Sequence, residues 1–192
     1  MDRYVRGPET PVLEQTIEQT FTTTVRKFPD VDALISRHQN IRLTWAGLDR
    51  EVERTARGLA GLGLARGSRV GIWSPNCAEW SYLHYASSRA GVVLVNINPA
   101  YRLSELEYAL KQSGCRWLIC ADAFKTSDYH AMLHELPSKA AAQLVELRVD
   151  GPLEGDGHHR LRFVTHGPPP LAKDYGGRRW VCRGGLPSGG AT

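Results

Sequence analysis

Val70 to Val95, VGIWSPNCAEWSYLHYASSRAGVVLV, reads as strand, helix, strand, and its reading decides the fold class. Val70 to Trp73 is a short apolar run closed by the breaker Ser74-Pro75. Asn76 with Glu79 three residues on predicts a capped helix start, and Trp80, Leu83, Ser87 and Ala90 keep a helical stripe running to Gly91. Val92 to Val95 follows without a polar break. Four apolar, mostly β-branched residues between turn signals suit a strand covered on both faces, the usual state of a parallel sheet.

The same alternation extends outward on both sides. Upstream, Thr44 predicts the cap of a long helix whose inner face is Leu48, Val52, Thr55 or Ala56, Leu59 and Leu62. Gly63-Leu64 closes that helix as a left-handed cap followed by an apolar residue. Before it, Val31 to Ser36 and Ile41 to Leu43 predict a hairpin about the polar turn Arg37 to Asn40. Thr10-Pro11 predicts the start of a first amphipathic helix carrying Leu13, Ile17, Phe21, Val25 and Phe28. Downstream, Ser104 with Glu107 opens a helix with Leu106, Ala109 and Leu110 inside and Gly114 as its stop, and Trp117 to Cys120 is the next strand. A helix from Asp128 to Glu135, stopped by Pro137, and a strand at Leu144 to Val149 complete the series. Strands alternating with helices of this length imply an α/β fold, a parallel wound sheet with helices on both faces and right-handed crossovers.

Beyond Asp150 the composition changes. The last 42 residues hold 10 Gly and 5 Pro, and no apolar periodicity continues past Leu161 to Val164. Residues 1–149 are therefore expected to form one wound domain, and residues 150–192 a disordered or aberrant tail that adds no strand to the sheet.

Charge and cysteine usage narrow the function classes. Of the net charge of +4, the residues from Gly151 onward carry six Arg or Lys against three Asp or Glu, so residues 1–150 are close to neutral. With no basic helix or aromatic-basic sheet motif beside that charge, a nucleic-acid partner is not expected. Hydrophobic residues at 42% and charged ones at 23% are those of a soluble folded chain, and no apolar run approaches the roughly 20 residues of a membrane helix. No secretory or organelle-targeting segment is evident in Met1 to Thr10, which leaves the compartment open with the cytoplasm as default. Cys77, Cys115, Cys120 and Cys182 contain no C-x-x-C pair, and Cys115 and Cys120, read on one strand, would point to opposite faces; reduced thiols are expected.

Motifs that could carry chemistry each have a plainer reading. Gly58-Leu-Ala-Gly61-Leu-Gly63 ends a helix, whereas a dinucleotide fingerprint joins a strand to a helix. His130 and His134 share a helix face, but Ala131 stands where a zinc protease carries its glutamate. His158, His159, His166 and Cys182 are irregularly spaced among Gly and Pro. No G-x-S-x-G elbow and no Gly-Lys-Ser or Gly-Lys-Thr occurs, so no catalytic, cofactor-binding or metal-ligating residue is assigned. What remains is a pair of loops, Ser74-Pro-Asn76 and Asn98-Pro-Ala-Tyr-Arg102, at the carboxyl ends of expected parallel strands, where open α/β sheets bind ligands.

Leu43-Thr-Trp45 before a long helix, GSRVGIWSPNCAEW, AGVVLVNINPAYRLSELEYALKQSGCRWLI and FKTSDYHAML resemble the ATP-dependent acyl-CoA ligases of the adenylate-forming family, in their fatty acid and medium-chain branch. The resemblance runs over roughly Val12 to Pro137, with Val149 as its outer limit. It implies ATP, Mg and CoA as cofactors and a fatty acid as substrate: the carboxylate attacks the α-phosphate of Mg-ATP to give an acyl-adenylate and pyrophosphate, then the CoA thiol displaces AMP. In that family the phosphate loop ending in Pro-Lys-Gly, a Thr-Glu pair, a ribose-binding Asp and a mobile Lys come later in the chain, and none maps onto these residues. Gly185-Leu-Pro-Ser-Gly-Gly-Ala-Thr192 lacks the loop's lysine. The resemblance thus implies an N-terminal ligase segment that is catalytically incomplete as given, through truncation, read-through or a frame change after about Val149, and a mitochondrial location if it follows its relatives. The alternative expectation is a non-catalytic interaction module that associates with a partner or the full-length ligase through an open sheet edge.

Overall fold

The computed structural model describes residue 7, residues 10–121 and 123–135, and the backbone of the strands Leu144–Val149 and Leu161–His166. The chain begins with helix α1 (Ile17–Lys27), six residues later than Thr10-Pro11 predicts. A reciprocal capping box sets the start: Gln19 N–H donates to Thr16 Oγ1 at 3.2 Å and Thr16 N–H to Gln19 Oε1 at 2.9 Å. Residues 10–16 form no helix and are exposed, Val12 at 87%, so no buried face favours starting the helix earlier. Of the expected stripe, Phe21 is buried, whereas Ile17 and Phe28 are exposed.

Strands β1 (Asp32–Ser36) and β2 (Ile41–Thr44) form the expected antiparallel hairpin. Thr44 then caps α2 (Trp45–Gly61), its hydroxyl accepting from Gly47 N–H at 3.2 Å. Leu48, Val52, Thr55, Ala56 and Leu59 are buried as the helical period requires, and Leu64 folds back under the cap, its N–H on Leu59 O.

The central sheet takes β3 (Arg69–Trp73), β4 (Val93–Ile97) and β5 (Trp117–Cys120), with α3 (Ala78–Ala90) and α4 (Leu103–Ser113) as the crossovers. A two-residue hairpin, β6 (Ala123–Phe124) and β7 (Ser127–Asp128), leads into α5 (Tyr129–His134), capped by Asp128. Then come β8 (Leu144–Val149) and β9 (Leu161–His166). The strand order is β4-β3-β5-β8-β9, the first four parallel and β9 antiparallel to β8. Two expectations are thereby corrected. A strand does follow Val149, with Leu144 opposite His166 and Val149 opposite Leu161. And β4, expected to be covered on both faces, leaves Val93 48% exposed and pairs, among the described strands, with β3 alone; an apolar β-branched run does not by itself require cover on both faces.

Helices cover both faces of the sheet. Val70, Ile72 and Ile119 point into a core shared with α1, α2 and α3, while Trp73, Leu118 and Cys120 point into a second core with α4 and α5. This is the strand alternation at work, with successive residues of β3 and β5 serving opposite layers. Cys115 sits before β5 rather than on it and packs against the second core, to which Cys120 also belongs, so the two thiols do not face opposite sides. Gly71, on the second face, makes room for side chains of the flanking strands: a Cβ there would meet Ile97 Cδ1 of β4 at 2.9 Å and Leu118 Cδ1 of β5 at 3.0 Å. Among the described residues no helix is long and apolar enough to cross a membrane.

Candidate functional site

The loops after β3 and β4 lie side by side, because Trp73 and Ile97, the last residues of the two strands, are in register. Trp73 organises both. Fully buried, its indole N–H donates to Asn98 O at 3.1 Å, and its own carbonyl accepts from Ala121 N–H after β5. Tyr129, also fully buried, donates its hydroxyl to Pro99 O at 2.6 Å. The Asn98 to Arg102 loop is thus held from beneath by two aromatic donors. It is closed from within by Ala100 N–H on Asn98 Oδ1 and by Tyr101 N–H on Asn98 O. The Arg102 N–H is taken by the Glu105 carboxylate at 2.8 Å, which places the start of α4 at Leu103 instead of at the expected Ser104 and Glu107 pair. Glu107 instead pairs with Lys111 at 2.5 Å.

The loop after β3 is fastened differently. Ser74 Oγ donates to Pro75 O at 2.9 Å and lies 3.5 Å from Cys77 Sγ, while Asn76 is exposed and makes no cap. The cap of α3 comes from Gln39, in the β1–β2 turn: its Oε1 accepts from Ala78 N–H at 2.8 Å and from Ser36 Oγ at 2.7 Å. Its Nε2 donates to the buried Glu79 carboxylate at 2.7 Å. Glu79 therefore does not close the capping box expected with Asn76; a residue forty positions away holds it.

A helix N-terminus aimed at a ligand is the usual seat for phosphate. Here the first turn of α3 already holds an amide oxygen and a carboxylate, so it does not fit the triphosphate of ATP. Burial raises the Cys77 thiol above its ordinary value despite the Ser74 bond, so it is no activated nucleophile, and burial pushes Tyr129 up to about 12, which keeps it a hydrogen-bond donor. No group of three metal-ligating side chains occurs among the described residues. His130 and His134 lie on α5, but their side chains are outside the described ones, as are His158, His159, Cys182 and the terminal Gly185 to Thr192 segment; His166 is placed on β9 by its backbone alone. Sequence reasoning found the two loops and missed Trp73, Gln39 and Tyr129, which position them.

The architecture has known counterparts. The family described as AMP-binding enzyme matches residues 21–171. The chain is similar to the mitochondrial medium-chain acyl-CoA ligase ACSF2 of Macaca fascicularis, 40% identical over 134 residues, which make up 69% of this chain and 22% of that protein. The ACSF2 of Rattus norvegicus is 37% identical over 166 residues, 79% of this chain and 27% of that protein. The chain thus spans about a quarter of the length of these relatives. Among solved structures, Mycobacterium smegmatis MbtA superposes with a TM-score of 0.58 at 34% identity, over 67% of this chain and 23% of that one. A putative long-chain fatty acid CoA ligase from Rhodopseudomonas palustris shares the fold, with a TM-score of 0.60 at 23% identity over 70% of this chain and 33% of that one. A wound sheet with these two loops at its carboxyl end, matched by that family over residues 21–171, makes this chain a member of the AMP-binding, adenylate-forming acyl-CoA ligase family.

Proposed function

We propose that the chain is the N-terminal segment of an ATP-dependent fatty acyl-CoA ligase and is catalytically incomplete as given. The observation that carries this reading is the family match over residues 21–171, joined to two pinned loops at the carboxyl ends of β3 and β4 and a first turn of α3 already taken by Gln39 and Glu79. In the complete enzyme, Mg-ATP would supply the adenylyl group and CoA the thiol; the oxygen of the fatty acid carboxylate would bond to the α-phosphorus as pyrophosphate leaves, and sulfur would then replace AMP at the acyl carbon. The role of these residues is to hold the carboxyl-end loops of β3 and β4 in fixed positions against which later parts of such an enzyme would close. By the same reading the protein is mitochondrial, the location named for its ACSF2 relatives.

Hydroxylamine trapping tests the claim. The purified chain, given Mg-ATP and medium-chain fatty acids, should yield no acyl-hydroxamate above the buffer blank, and hydroxamate formation would refute incompleteness. A transcript that continues in frame past Thr192 into a Ser-Gly-Thr-Thr-Gly loop would establish the segment as part of an active ligase.

A second reading, a non-catalytic module that associates with a full-length ligase, draws on β4, which among the described strands pairs with β3 alone and leaves Val93 half exposed. Size-exclusion chromatography of the chain with and without the full-length ligase decides it; unchanged elution of both rejects the module.

A further inference from the structure

At the opposite end of the sheet, a cleft of about 610 Å³ opens at the amino ends of β3 and β5. Its lining includes Arg66, Arg69, Arg116 and the half-buried Trp117, with no carboxylate.

The backbone builds this arrangement. Gly67 of the turn before β3 donates its N–H to Gly91 O at 2.8 Å, and α3 and α4 both end in left-handed glycines, Gly91 at φ 68° and Gly114 at φ 65°. These bare α-carbons seat two of the arginines. A Cβ on Gly91 would lie 2.9 Å from Arg66 Cγ, and one on Gly114 would lie 2.9 Å from Arg69 Nη1. Arg69 Nη1 also donates to Ser113 O at 3.1 Å.

A plain purpose for the arginines is to offset the helix carbonyl ends gathered here, so the charge balance decides. Three helices, α2, α3 and α4, end at this cleft, each carrying about half a negative charge at its C-terminus, roughly −1.5 in all. Three guanidinium groups bring +3. No ion pair among the described residues involves Arg66, Arg69 or Arg116. Among the described residues about +1.5 is left uncompensated on three solvent-exposed arginines, in a cleft walled by an indole. Guanidinium forks match phosphate oxygens in geometry, and an indole face receives a flat ring.

We propose that this cleft is a binding site for the diphosphate group of a small organic phosphate, with Arg66 and Arg116 as the anion clamp, Arg69 fixed between them by Ser113, and Trp117 as the wall for whatever ring the phosphate carries. The site is separate from the loops beyond Trp73 and does not depend on the ligase reading.

Isothermal titration of the full chain with inorganic pyrophosphate at low ionic strength tests it, since pyrophosphate has no base or acyl group for the other end of the sheet. Saturable one-to-one binding is expected, weakened by added salt. Arg66→Gln and Arg116→Gln should each lower affinity by about tenfold, the low end for a lost charge-assisted bond. Arg50→Gln, an exposed arginine on α2 outside the cleft, should leave it unchanged. ADP should bind at least as tightly as pyrophosphate and shift the Trp117 indole N–H resonance. Three results would overturn the proposal: no saturation in the millimolar range, equal weakening by Arg50→Gln, or binding to anionic lipid vesicles without binding to pyrophosphate.

Discussion

The indole of Trp73 is stacked on the phenol ring of Tyr129, centroids 3.6 Å apart and planes 14° from parallel. The two residues come from different elements of the sheet's second core, one from the last position of β3 and one from the first of α5. Each spends its polar atom on the same loop, Trp73 on Asn98 O and Tyr129 on Pro99 O. The stack is therefore a two-point mount for the loop after β4. Trp73→Ala should destabilise the chain by about 3–5 kcal/mol, the usual cost of emptying a large aromatic site, read from urea unfolding. Tyr129→Phe keeps the ring and strands one carbonyl; a loss of about 1–2 kcal/mol is expected, with amide exchange accelerated in residues 98–102 more than in β3.

Gln39 and Glu79 form the second mount, 2.7 Å apart across forty residues of chain. Among the described residues Glu79 Oε1 has no hydrogen-bond partner, so the Gln39 amide on Oε2 carries the burden of satisfying a buried carboxylate. Gln39→Glu would set two carboxylates against each other and should cost about 3 kcal/mol. The double variant Gln39→Glu with Glu79→Gln restores one donor and one carboxylate and should recover most of that loss. Urea midpoints of the single and double variants check this; a double variant no more stable than Gln39→Glu would show that the pair is not coupled.

The difference between these mounts and the rest of the fold explains what was legible in the sequence. Thr44, Gly91 and Gly114 are local devices, each satisfied within a few residues, and each is where periodicity and cap chemistry put it. The failures share a different cause. Asn76 and Ser104 are sound local caps, but Gln39 supplies the acceptor at one and Glu105 does so at the other. The loops were legible as strand ends followed by Pro, while their mounts were not, because Trp73 to Asn98 and Tyr129 to Pro99 are contacts across 25 and 30 residues. Strand β9 was hidden by the Gly and Pro around it, since a six-residue strand pairing on one side needs little periodicity of its own.

Arg89 gathers three carboxylates from two helices, Glu18 at 3.0 Å from α1 and Asp49 and Glu53 at 2.7 and 3.3 Å from α2, with its guanidinium over the Phe21 ring. Only 18% of the side chain is exposed. Arg89→Met would leave three like charges facing one another and should cost about 2–3 kcal/mol, below the range for fully buried pairs because the carboxylates keep some water. Arg89→Lys should recover less than half, since one ammonium cannot reach three partners in a fixed fork. Both follow from thermal unfolding, and a Lys variant as stable as the parent would sink the argument.

Gly71→Ala tests how closely the side chains of β4 and β5 pack over β3 on the second face. The two atoms a Cβ would strike, Ile97 Cδ1 and Leu118 Cδ1, are the free ends of flexible side chains, so they can turn aside at modest cost. A loss of about 1 kcal/mol is expected, the low end for overpacking. Gly114→Ala meets the Arg69 guanidinium at a φ of 65°, and its cost of about 1 kcal/mol comes from the backbone instead. Adding Arg69→Ala should relieve little of the Gly114→Ala penalty, whereas Leu118→Val should relieve part of that of Gly71→Ala; unfolding free energies of the four variants separate strain from crowding.

Tyr129 also predicts an alkaline limit. Burial first, and the nearby Cys120 second, raise its hydroxyl from 10.0 to about 12. The group is neutral in its protonated form, so a raised value means that the folded state holds the proton more tightly than the unfolded one. Its contribution is then complete below pH 10 and disappears as pH rises through about 12, where the folded state must also give up the proton and with it the bond to Pro99 O. A shift of this size corresponds to about 3 kcal/mol. The urea midpoint of the parent should fall between pH 10 and 12, and Tyr129→Phe, which starts lower, should fall less over the same interval. Equal slopes for the two proteins would show that other groups set the limit, and a parent that gains stability over this interval would contradict the buried, donating phenol at the base of the loop.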